Sequence, residues 1–244
     1  MVRPLKWIIG AVVALAVAVS AGVFVYIHFI EGPAPARLSL SQVPSGDASA
    51  TATTIAGSTA TTAVAGPVPS GGVDGSWSPT TDSQVGYRVK ETLFGQKNEA
   101  VGRTNKVTGT VTISGTTVST ADLTVDMKSV KSSESQRDGQ FNGRIMNTST
   151  FPTATFKLTQ PVQLPSVPTD TTPITVKATG ALTLHGVTKT VSFDIRAQRT
   201  GSNLAINSTI PITFADYNID NPSGGPASTE DHGELELLIV LAKS

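Results

Sequence analysis

The sequence predicts an all-β protein: an eight-stranded antiparallel barrel with one short α-helix, preceded by an N-terminal transmembrane helix and a disordered linker. Three observations predict it. From Trp77 onward apolar and polar residues alternate with a period of two, the pattern of strands with one buried face. Short Gly-, Asn- and Ser-rich connections separate these runs. Before them stand a long uncharged apolar stretch and a tract poor in large apolar residues.

The apolar stretch is Trp7 to Ile30, "WIIGAVVALAVAVSAGVFVYIHFI", with Arg3 and Lys6 before it and Glu31 directly after. At about 1.5 Å per residue it spans a hydrocarbon core of about 30 Å. The basic flank places the N-terminus in the cytoplasm and the rest of the chain outside. A cleaved signal peptide is the competing reading, because Ala34-Pro35-Ala36 has the small residues a signal peptidase accepts. The apolar core is longer than the roughly 7 to 15 residues of a signal peptide, which favours an uncleaved anchor. Tyr26 and His28 lie near its outer end, where amphipathic rings sit at the interface.

The chain therefore divides into a cytoplasmic terminus at 1–6, a transmembrane signal anchor at 7–30, a linker at 31–75 and a β-barrel domain at 76–244. The linker is built mostly of Ala, Ser, Thr, Pro, Gly and Val, and its composition predicts no packed structure. As a flexible coil it reaches about 35 to 40 Å, and fully stretched about 140 Å. It reads as a plain spacer, and its Ser/Thr density also suits an O-glycosylated stalk.

The strands follow in order. Val85, Tyr87 and Val89 alternate with polar or small residues, then Val107 to Ile113, then Leu123, Val125 and Met127. Ala154, Phe156 and Leu158 form the next run, and Ile174, Val176 and Ala178 lead into Leu182 and Leu184. Val191, Phe193 and Ile195 follow, then Leu204 to Phe214, then Leu235, Leu237, Ile239 and Leu241. Turns fall at Ser114-Gly115, His185-Gly186 and Thr200 to Asn203. Closing such a sheet removes exposed edges, which favours a barrel over a sandwich. One segment, Ser132 to Met146, breaks the alternation. Ser133 and Gln136 have capping-box spacing, and Phe141 and Ile145 share a helical face while Arg137 and Arg144 stay solvated. This helix is expected to lie across the barrel as a plug or lid.

Composition excludes several classes of function. The chain has no cysteine, so disulfides, thiolate zinc sites and lipid attachment through cysteine are ruled out. Eighteen basic and eighteen acidic residues leave no net charge to recruit nucleic acid. Three histidines fall in the apolar span, at a hairpin tip and in a Gly/Pro loop, and no catalytic or phosphate-loop motif accompanies them. No catalytic residue, metal or cofactor is expected. A barrel of eight strands either fills with its own side chains or holds one slender ligand. The inward positions suit a hydrocarbon chain: Val85, Tyr87, Val89, Val125, Met127, Phe156, Leu182, Leu184, Phe193, Ile195, Phe214, Leu237 and Ile239, with Phe141 and Ile145 from the lid. The rival is a structural or adhesion module whose barrel fills itself.

Four motifs carry a family resemblance: "GALTLHGVTKTVSF" at Gly180 to Phe193, "SQRDGQFNG" with Arg137-Asp138, "STFPTATF" with Phe151-Pro152 and Phe156, and "VTGTVTI" with Gly109. In this order, across residues 76–243, they resemble the YceI-like family of bacterial polyisoprenoid-binding proteins. The resemblance implies an extended lipocalin-like barrel enclosing a long isoprenoid or other apolar lipid, for carriage, storage or sensing in the cell envelope. The first strand departs from the family: Asp82 and Glu91 stand where many members have histidine, and Tyr87 replaces a phenylalanine. Head-group contacts are then expected from Glu91, Arg103, Arg137 and Arg144. An inward Glu91 disfavours a phosphate unless Arg103 or Arg144 neutralises it.

Overall fold

The structure is a computed structural model describing residues 12, 15, 17–19, 21–22, 34–43, 72–93, 95–224 and 227–244. Its strands are β1 (Gly75–Pro79), β2 (Gln84–Leu93), β3 (Gln96–Thr104), β4 (Val107–Ser114), β5 (Thr117–Asp126), β6 (Lys131–Ser132), β7 (Thr153–Leu158) and β8 (Val162–Gln163). They continue with β9 (Ile174–Leu184), β10 (Val187–Thr200), β11 (Asn203–Thr213), β12 (Ala227–Thr229) and β13 (His232–Lys243). The sheet runs β1-β4-β5-β7-β9-β10-β11-β13, and β13 pairs back onto β1, which closes an antiparallel barrel.

The ring has eight positions because β1 and β2 lie end to end along β13, and β3 and β4 lie end to end beside them. Ser83 bridges the first break: its hydroxyl donates to the Val240 carbonyl at 3.2 Å and accepts from the Val240 amide at 3.0 Å. A buried side chain thus replaces the ladder where the chain bulges. The alternation showed only the β2 and β4 halves of these two positions. β1 was missed because its five residues hold one large apolar side chain, Trp77, and β3 because it presents Asn98, Ala100 and Gly102 on the face shared with Tyr87, too small and polar to read as an apolar run.

One end of the barrel is closed by Trp77, almost fully buried against Val73, Val107, Val111, Ile113, Leu204, Ile239 and Leu241. Its indole Nε1 donates to the Val73 carbonyl at 2.7 Å, so the polar handle of this large ring is satisfied inside the plug. The other end carries α1 (Ser135–Gln140), which runs on into a π-helical turn, Phe141–Ile145. Phe141, Met127, Met146, Leu184, Phe214, Tyr217 and Ile219 pack together there. The capping box expected at Ser133 and Gln136 is replaced. β6 keeps the chain extended through Ser132, the helix starts later, and the Asp138 carboxylate accepts from the Ser132 amide at 2.8 Å and hydroxyl at 2.9 Å.

No helix among the described residues is long and apolar enough to cross a membrane. Most of the expected span, 7–30, lies outside the described residues, and those of it that are described, Val12, Leu15, Val17–Val19 and Ala21–Gly22, are helical. The linker expectation is corrected for 34–43, which is ordered on the outer wall of the barrel. Leu38 and Leu40 are buried there against Ala205 and Leu238. Composition is silent here because two leucines suffice when backbone carbonyls and the Arg37 ion pair make the remaining bonds. Residues 44–71 lie outside the described residues.

Candidate binding cavity

The strand alternation that builds the barrel also turns its inward side chains onto a common axis, and they do not fill it. A cavity of about 400 Å³ remains, within the range of small-molecule sites. β2 contributes Val85, Tyr87 and Val89, β5 contributes Val125, β7 contributes Phe156, and Met127 follows β5. β9 contributes Leu182 and Leu184, β10 Phe193 and Ile195, and β13 Leu237 and Ile239. Phe141, Ile145 and Phe214 line it from the helical segments. Every apolar position expected from the sequence is therefore on the lining. Others share the same alternation and were not singled out, among them Val111, Ile113, Ile210 and Ile212. Ile219, Pro222, Ala227 and Thr229 come from the Gly/Pro-rich loop region, where no periodicity could point to them.

Aromatic rings shape the wall. Phe156 and Phe193 meet edge to face with centroids 5.4 Å apart, and Tyr87 stacks on Phe141 at 5.1 Å. The Phe156 ring lies directly over Gly180, where any Cβ would collide with it. That is the packing reason for the glycine that opens "GALTLHG". Burial pushes the Tyr87 phenol up to about 12, against the pull of the Arg137 charge, so the ring stays neutral in the wall.

Polar groups gather at the α1 end. Glu91 faces the cavity and pairs with Arg137 at 3.3 Å, and it accepts from the Asn98 amide at 3.0 Å. The expectation of a solvated Arg137 is thereby corrected: the helix turns it inward onto the carboxylate of β2. Arg144 lines the same mouth and donates to neutral acceptors, the Gln140 side-chain oxygen at 3.1 Å and the Pro222 carbonyl at 3.2 Å. Both of these partners are neutral, and Asp138 adds its charge to those of Glu91 and Arg137 around Tyr87, so the mouth carries charges of both signs.

Arg103 does not belong to this group. Strand parity turns it to the outer wall, where it pairs with Glu236 at 2.8 Å. Glu236 also receives Arg88 at 2.6 Å, and Arg88 reaches Glu99 at 2.5 Å. Both members of the central pair are nearly inaccessible, Arg88 at 4% and Glu236 at 2%. Burial alone would raise the Glu236 carboxyl, but hydrogen bonds and charge from Arg88 and Arg103 outweigh it and hold it below the usual range.

His185 sits at the β9–β10 turn with φ of 50°, followed by Gly186 at 76°. Its Nδ1 donates to the Tyr217 carbonyl at 3.2 Å, and its ring meets Phe151 edge to face at 4.6 Å. Among the described residues, no three His, Asp or Glu side chains gather as a metal site.

An eight-stranded antiparallel barrel closed at one end, with an apolar cavity and a small ionic mouth, defines the class: a hollow β-barrel. Residues 78–241 match the YceI-like domain, and the chain belongs to that family. It is similar in fold to a polyisoprenoid-binding domain from Saccharophagus degradans implicated in plant cell wall breakdown, with a TM-score of 0.55 and 18% identity over 69% of this chain and 98% of that one. It is similar also to Burkholderia cenocepacia BcnA, with a TM-score of 0.53 and 18% identity over 66% of this chain and 98% of the other. A search of curated protein sequences found no significant match.

Proposed function

We propose that this chain is a membrane-tethered, extracytoplasmic protein that holds a long apolar, isoprenoid-type chain inside its barrel, for carriage, storage or sensing in the cell envelope. The observation that carries the reading is the unfilled apolar cavity of about 400 Å³, which a barrel packed for structural purposes alone would not keep. The binding stated for the Saccharophagus degradans domain supports an isoprenoid among apolar chains.

Affinity in this reading comes from removing hydrocarbon from water, at about 0.8 kcal/mol per buried methylene, or about fourfold in Kd. Orientation comes from the mouth. Arg137, already paired with Glu91, and Arg144, held only by neutral acceptors, are the cations there that can meet an anionic head group, a weak preference.

The tether is supported by the apolar run from Trp7 to Ile30 and by the exposure of helical Val12, Leu15, Val17 and Val19, which water would leave unsatisfied as a group. Cleavage after Ala36 would remove the Pro35 and Ala36 carbonyls that accept from Arg88 and Arg103, which favours retention of the anchor. Native mass spectrometry of the protein, with extraction of its bound material, tests the reading: a stoichiometric apolar lipid supports it, and a clean apoprotein that takes up no added isoprenoid overturns it.

A further inference from the structure

The segment after the apolar run is held on the barrel by bonds of three kinds. The Pro35 carbonyl accepts from Arg88 at 2.7 Å and the Ala36 carbonyl from Arg103 at 2.5 Å. Arg37 pairs with Glu234 and lies 3.7 Å from Glu236, completing a network of three arginines around the carboxylates of β13. Beyond it, Asn207 donates to the Leu38 carbonyl at 2.9 Å, and Leu38 and Leu40 bury against Ala205 and Leu238. Ser39 and Gln42 cap the short 3₁₀ turn Leu40–Gln42 that ends the contact.

Chain geometry then constrains the whole. Residues 31–34 are the four that separate Ile30 from Pro35. The five steps from Ile30 to Pro35 reach at most about 18 Å when fully extended. The next described segment, from Gly72, is also seated on the barrel: Val73 packs around Trp77, and Asp74 accepts from the Gly115 amide. The chain between 43 and 72 therefore starts and ends on the same body, and its length does not set the distance from barrel to membrane.

We propose that residues 34–43 are a strap that fastens the barrel directly against the outward surface of the bilayer rather than holding it out on a stalk. This rests on the anchor proposed above. The network under the strap is matched in charge, so it serves attachment of this segment and not attraction of lipid head groups. Arg88, Arg103 and Arg37 face Glu99, Glu234 and Glu236.

The absence of cysteine allows a single donor dye at Lys97→Cys, an exposed site in β3, on the full chain in liposomes carrying an acceptor lipid. A flexible Gly/Ser insertion of about thirty residues is placed either between Gly32 and Pro33 or between Gly57 and Ser58. The first should lengthen the mean dye-to-bilayer separation by about 30 Å, and the second should leave it unchanged. Lengthening by the second insertion, or none by the first, overturns the strap. Sedimentation with the liposomes is scored beforehand: a chain left in the supernatant overturns the anchor and the strap with it, whereas a bound chain with the wrong insertion response overturns the strap alone.

Discussion

His185 and Glu91 show how a single position acquires its role from the backbone that presents it. His185 holds left-handed backbone at a two-residue hairpin, a conformation asparagine also tolerates. We expect His185→Asn to keep ligand binding unchanged while costing about 1 kcal/mol in urea denaturation, from the lost edge contact with Phe151. His185→Val should cost more, because a β-branched residue adds about 1–2 kcal/mol of strain at that φ. Loss of binding by a folded His185→Asn would show a role beyond turning the chain. Glu91 matters through charge instead. Glu91→Gln removes a negative charge from the mouth that Arg137 and Arg144 line, and should tighten a phosphate-headed isoprenoid by up to about fivefold, with no change for the matching alcohol. Equal effects on both ligands would show that the mouth does not read the head group. Glu91 was visible in the sequence as an inward residue near a strand end. Its partner was not, since Arg137 reaches it only through the placement of α1.

At the scale of elements, the outer-wall network makes a prediction about pH. The Glu236 carboxyl is held below its ordinary value of 4.5 in the folded protein. The stability this confers is complete above that value and is lost as pH falls through the lower, folded one. Denaturation midpoints should therefore drop on acidification below about pH 4.5, and Glu236→Gln should flatten that drop while lowering stability at neutral pH. Removing one partner of such a buried pair costs roughly 3–5 kcal/mol. An unchanged acid profile in the variant would place the titration elsewhere. The elements differ in how legible they were. β5, β9, β10, β11 and β13 have an inward face of large apolar residues, so alternation exposed them. β3 was silent because Gly102 gives up its volume to the Tyr87 ring. The strap was silent because Arg88 and Arg103 reach it through the carbonyls of Pro35 and Ala36, which no side-chain pattern encodes.

For the whole molecule, the eight barrel positions and the apolar axis followed from periodicity because burial selects the same residues whether a ligand or a neighbour fills the space. That equivalence is also why the sequence could not distinguish a filled barrel from a hollow one. The difference lies in how side chains of fixed size meet around the circumference, with Phe156 drawn over Gly180 and Tyr87 drawn toward Gly102, leaving the centre open. Hollow barrels of this lining are expected to carry cargo when isolated from a lipid-rich cell, since apolar walls gain nothing from water. Native mass spectrometry of the full chain in mild detergent, followed by solvent extraction of the bound material, measures this directly. The account predicts one apolar chain per barrel, lost in a variant whose cavity is narrowed by Ala178→Phe but which stays folded. A barrel that emerges empty, and stays empty when isoprenoids are added, would contradict it.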